Sequence, residues 1–110
     1  MATQPAKMDG VAFWDVETTG LDDDSAITVA VITMGMNDPQ IFHSGEGNVM
    51  SVEKAVEMLT VLEEATTVVT FNGAAFDFKR LAHVIGDHER VATVAARHVD
   101  ILFQFVANTG

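Results

Sequence analysis

The sequence predicts an α/β domain: a three-stranded antiparallel meander, then a helix, a parallel strand and a second helix. Three observations predict it. Apolar runs rich in β-branched residues recur at 11–17, 26–34 and 40–44, joined by links too short to carry a parallel crossover. A stretch of helical periodicity follows at about 52–65, opened by Ser51 as a capping residue. A further apolar run at 66–71 leads into a second helical stretch at about 74–85. A strand reached through a helix is expected to lie parallel to its predecessor.

The first strand is Val11 to Glu17. Side chains alternate between the faces of a strand, so Asp15 and Glu17 point the same way, roughly 7 Å apart. Two acids on one face of a buried strand repel each other and resist desolvation. A divalent cation held by hard oxygen ligands is the simplest relief. A solvated strand end before the acidic run Asp22-Asp23-Asp24 would explain the same residues without function. Thr18 to Ser25 read as a turn, with Gly20 free to take positive φ.

Ala26 to Met34 forms the second strand, Gly35 to Pro39 a tight link, and Gln40 to Ser44 the third strand. In the first helix Val52, Val56, Leu59 and Leu62 form the apolar stripe, widened by Met58 and Val61. The fourth strand, Thr66 to Phe71, ends at Asn72-Gly73. In the second helix Phe78, Leu81, Ala82 and Ile85 face inward, and Gly86 stops it. Asp77 falls in the first turn of that helix, facing the strand ends. A short helix at 88–96 is weaker in pattern, and Asp100 before an apolar run is read as the cap of a helix at 101–107.

Composition narrows the function. With 110 residues the chain makes one domain at most, and 48% hydrophobic content fills a modest core. No cysteine is present, so disulfides and thiolate metal sites are excluded. Any metal must sit on Asp, Glu, His or backbone oxygen. Residues 1–9 read as a disordered leader without a signal core, and residues 10–110 as the domain. No apolar run is long enough to cross a bilayer, so a soluble cytoplasmic protein is expected. The net charge of −10 argues against binding nucleic acid through a basic surface alone. It does not exclude a nuclease whose acids hold the cations that meet phosphate.

Two segments carry a family resemblance. Phe13-Trp14-Asp15-Val16-Glu17-Thr18-Thr19-Gly20-Leu21 resembles the first motif of the DnaQ-like (DEDD) 3′–5′ exonucleases. Thr70-Phe71-Asn72-Gly73-Ala74-Ala75-Phe76-Asp77 resembles their second motif, in which N-x-x-x-F-D carries the third acid. His98-Val99-Asp100-Ile101-Leu102 is similar to an H-x-D-L segment that follows in some members. The resemblance spans nearly all of residues 10–105. It implies a ribonuclease H-like fold and hydrolysis of phosphodiester bonds at a DNA or RNA 3′ end. It also implies two divalent cations, Mg²⁺ or Mn²⁺, with Asp15 bridging them and Glu17 and Asp77 completing one site each. Thr18, Asn72 and Phe76 would seat the terminal nucleotide. For Asn72 a turn-forming role, and for Phe76 core packing, explain the residue equally well.

One part of the family pattern is missing. The third motif, Tyr-x-x-x-Asp or His-x-x-x-x-Asp, supplies a fourth acid and the general base. The chain has no tyrosine, and none of His43, His83, His88 and His98 has an Asp five positions on. The domain is therefore expected to be incomplete at its C-terminus, with activity weak or lost: a fragment of a longer nuclease, a short relative that has lost the last motif or borrows it from a homo-oligomer or partner chain, or one in which another group, His98 being the nearest candidate, substitutes. A non-catalytic module of the same fold, binding nucleic acid or a protein, is the competing reading. Few basic residues follow the second motif, Lys79, Arg80 and Arg97 among them, so binding by such a module is expected to be weak without metal. A phosphatase-like reading of Asp15-x-Glu17-x-Thr19 is disfavoured by Glu at the second acid and by the antiparallel opening.

Overall fold

The structure is a computed structural model that describes residues 10–20, 25–70 and 74–101, with the backbone alone at 74–76. The expected leader at 1–9 and the expected helix at 101–107, beyond Ile101, lie outside the described residues. Among the described residues no helix is long and apolar enough to cross a membrane.

The meander forms as expected. Strands β1 (Val11–Thr18), β2 (Ile27–Met34) and β3 (Gln40–His43) pair antiparallel in sequence. Helix α1 (Val52–Glu63) starts where Ser51 accepts the amide of Lys54. Strand β4 (Thr67–Thr70) then lies parallel to β1 on its free side. Helix α2 (Ala74–Ile85) ends at Gly86, whose φ of 80° and amide bond to the Ala82 carbonyl close the helix. Helix α3 (His88–Ala95) is capped by the Asp87 carboxylate, which accepts the Arg90 amide. A fifth strand, β5 (His98–Asp100), pairs parallel to β4. The sheet order is β3-β2-β1-β4-β5. The carboxyl ends of β1, β4 and β5 therefore share one rim, where α2 begins.

The alternation of β1 decides where the core lies. Ala12 and Trp14 turn inward and are buried, with Ile32, Ala30 and Val68 beside them on neighbouring strands. Trp14 donates its indole N–H to Met58 Sδ of α1 at 3.4 Å and meets the Phe78 ring of α2 at 4.9 Å. One residue thus ties two helices to the central strand. Burying an aromatic side chain of this size contributes about 2–3 kcal/mol against leaving it in water. Phe13, Val31, Thr33 and Val69 turn to the opposite face and, with Asp15 and Ile101, line an open depression of about 440 Å³.

Two expectations are corrected and one strand is added. Met58, Leu59 and Leu62 of the expected stripe of α1 are buried and Ala55 joins them, while Val52 is 49% exposed. Both stripes obey helical spacing, and contact with Trp14 selects the one centred on Met58. Gly20 does not take positive φ, and its carbonyl accepts the Thr18 hydroxyl. His98–Asp100 adds an unexpected strand, since β4 offers an edge that only the folded chain creates, and Ile101 directly after it is helical, where the helix capped by Asp100 was expected to open.

Candidate active site

Asp15 and Glu17 lie opposite Val31 and Val29 of β2, on the face away from Trp14. Both are exposed, so the pair is not the desolvated one that the sequence suggested. Just beyond Glu17 the pairing slips, Thr18 meeting Ile27 and skipping Thr28. The Thr28 hydroxyl bonds the Glu17 carbonyl at 3.1 Å. Such bulges re-aim side chains at strand ends and favour site rims. The Thr18 hydroxyl donates to the Gly20 carbonyl at 2.7 Å, and Thr19 pairs with Ala26 through backbone and side chain. The turn that leaves the rim is thereby held at both ends.

Asp77 is the desolvated acid. It sits half-buried in the first turn of α2. A helix N-terminus favours a carboxylate, yet burial, then the charge of Asp15, then that of Asp100 push its pKa from 3.8 up to about 6. Asp15 and Asp77, far apart in sequence, therefore act on each other across the rim. Asp100 is a third acid in this field, and it lies beside Thr70 at the end of β5. The sequence marked it as a helix cap, which the helical Ile101 after it agrees with, but did not mark the strand that carries it. Its usable signal was the alternation of His98, Val99 and Asp100, too short to count as a strand by itself.

His98 completes the neighbourhood. Its Nε2 shares a hydrogen bond of 3.0 Å with the Thr70 hydroxyl, and its ring meets Phe78 edge-on at 5.3 Å. Burial lowers its pKa, partly opposed by Asp100. Asn72 lies outside the described residues, as does the side chain of Phe76. Arg80 is not part of a basic surface: it is 8% exposed, with Nη1 directed at the Ser25 carbonyl at 3.5 Å. Arg97 is turned to the Glu63 carbonyl at 2.9 Å.

The donor chemistry at the rim is carboxylate oxygen, which suits a hard divalent cation such as Mg²⁺ or Mn²⁺. The mutual repulsion that raises the Asp77 pKa is the term a cation would reverse. Among the described residues no three His, Asp or Glu side chains are gathered closely enough to hold an ion as they stand. Asp15 and Asp77 are thus neighbours in charge, and with Glu17 they do not form a closed ligand cage.

Comparison with known proteins places this geometry in context. No curated protein sequence matches the chain. Among solved structures it is similar to the family B DNA polymerase from the hyperthermophilic archaeon Pyrobaculum calidifontis, with 16% identity and a TM-score of 0.59. That likeness covers 84% of this chain but only 15% of the polymerase chain, and it shows a shared fold. The family model described as RNase_H superfamily matches residues 12–109, from the first strand through the rim acids. The five-stranded sheet with its antiparallel opening and parallel continuation is the ribonuclease H-like fold, a nuclease-type scaffold, and the chain belongs to the RNase_H superfamily.

Proposed function

We propose that this chain is a metal-dependent 3′–5′ exonuclease domain of the DnaQ-like (DEDD) type, acting on DNA or RNA ends. The observation that carries the reading is the shared field of Asp15 and Asp77 at the carboxyl ends of the parallel strands. Asp15, Glu17 and Asp77 would hold the cations through their carboxylate oxygens. When bound, such ions polarise the phosphodiester and lower the pKa of the attacking water. The residues of the chain do the rest. Asp15 and Glu17, exposed on one face, orient the acids toward an incoming strand. The Thr18 turn, together with Asn72 and Phe76, would seat the terminal nucleotide.

The general base expected from a third motif is absent from the 110 residues, which contain no tyrosine and no histidine followed by Asp at the fifth position. Its loss typically lowers the rate by two to four orders of magnitude. A second reading, a non-catalytic module that binds nucleic acid or a protein partner, needs no such base. A labelled single strand incubated with Mn²⁺ separates the two. Slow release of nucleotides by the wild type, abolished in Asp15→Ala, supports the exonuclease. Equal release by both, or none from either, overturns it, and retention of the strand in chelator then supports the module.

A further inference from the structure

Each rim acid is attached to a member of one side-chain array. Asp15 follows Trp14, Asp77 precedes Phe78, and Asp100 lies two residues beyond His98 on the same face of β5. The Trp14 and Phe78 rings meet at 4.9 Å with planes tilted by 53°, and Phe78 meets His98 at 5.3 Å and 68°. His98 is then held by Thr70 at 3.0 Å. The array joins β1, α2, β5 and β4, and its other end is held by the Met58 contact to Trp14.

This arrangement answers a mechanical question. Strand β5 has three residues and lies at the sheet edge, so its ladder to β4 is short. Helix α2 must nonetheless bring a half-buried carboxylate toward two others that repel it. Trp14, Phe78 and Thr70 are each under one-tenth exposed, so the contacts they make are shielded from competing water.

We propose that His98, fixed by Thr70 and set edge-on against Phe78, is a positioning residue that holds Asp77 of α2 against Asp15 of β1. The proposal rests on the metal-site reading above. It extends that reading to residues that would touch neither ion nor substrate. The array would hold Asp77 on the Asp15 side of the rim before any cation arrives, as residues behind metal ligands do elsewhere.

The test is a Mn²⁺ titration of the 110-residue chain, followed by electron paramagnetic resonance of the free ion. Trp14, the sole tryptophan in a chain without tyrosine, reports the array independently by its emission. His98→Ala and Thr70→Val should each weaken Mn²⁺ binding by about tenfold or more and shift Trp14 emission. His98→Gln places an amide near the former Nε2, and Thr70→Ser keeps the hydroxyl. Both should bind within about threefold of wild type, a rescue that general loosening of the fold would not produce. Should His98→Ala fail to fold by circular dichroism, the Thr70→Val and Thr70→Ser pair decides alone. Binding by His98→Ala within about twofold of wild type, or by His98→Gln no better than by His98→Ala, overturns the proposal while leaving the metal site standing. A wild-type chain that binds no Mn²⁺ is a different pattern, and it overturns the metal-site reading and this proposal together.

Discussion

Two acidic corners of the molecule are built in opposite ways. At the junction of α1 and α3, Glu63 meets the Arg90 guanidinium through both of its oxygens, at 2.7 and 2.8 Å, and Arg97 bonds its carbonyl. That hydrogen bonding, strengthened by the nearby positive charges against a smaller burial cost, lowers the Glu63 pKa. At the sheet rim, Asp77 meets burial, Asp15 and Asp100, and its pKa rises to about 6. The same functional group is thus neutralised from within the chain at one corner and left in a repulsive field at the other. Structural acids in this fold are given a cation by the sequence. The rim acids are arranged so that an external cation has something to gain by binding.

The largest effect should come from removing a rim acid. Asp77→Asn is expected to cut Mn²⁺-dependent hydrolysis by at least about a hundredfold, measured as nucleotide release from a labelled strand. The matching change at the other corner, Glu63→Gln, should leave that rate within about twofold, since it touches no rim group. Equal losses from both would erase the contrast.

A middle-sized effect concerns pH. The Asp77 carboxyl binds its proton more tightly in the folded chain than the ordinary value of 3.8 allows, so folding favours the protonated form. Its contribution is fully present below pH 3.8 and is lost as pH rises through about 6. Metal-free protein should therefore lose thermal stability across that window, and Asp77→Asn should flatten this part of the profile. Mn²⁺ should restore stability at the upper end, because a ligand that binds only the native state stabilises it. Melting curves at a series of pH values, with and without Mn²⁺, check both statements.

The smallest effect belongs to the ion pair. Glu63 has the opposite sign: its lowered pKa contributes stability above the ordinary carboxylate range that is lost as pH falls through the folded value. The pair is about one-third exposed on each side, so solvent screens it. Glu63→Gln should lower the melting temperature by roughly 2 °C, and less at high salt. A loss as large as that from a core truncation would mean that the α1–α3 corner is held mainly by this pair.

The parts legible in the sequence share a property: their signals are local. The β1–β2–β3 meander follows from β-branched runs and short links. Ser51 and Gly86 mark helix ends because each meets a need of the adjacent turn, an amide acceptor in one case and a positive φ in the other. The parts that were not legible depend on partners elsewhere. Strand β5 exists because β4 presents an edge to it. Val52 and Ala55 compete for the inner side of α1, and the winner is set by where Trp14 meets Met58. Arg80 looked like a surface cation and is buried under the Ser25 carbonyl.

The candidate site divides the same way. Asp15 and Glu17 are candidates because they are carboxylates at a strand end, and Asp77 because its segment resembles a family motif. Which of them bears the desolvation was decided by the fold: the strand pair faces solvent, and Asp77 carries the burden instead. Asp100 and His98 entered the neighbourhood only with the parallel pairing of β5. The amino-acid sequence determined the strands, the helix boundaries and the acids available for chemistry, since propensity, capping and charge act over a few residues. Tertiary structure alone decided which acids share an electrostatic field, because burial and Coulomb repulsion depend on distances in space that no spacing along the chain contains.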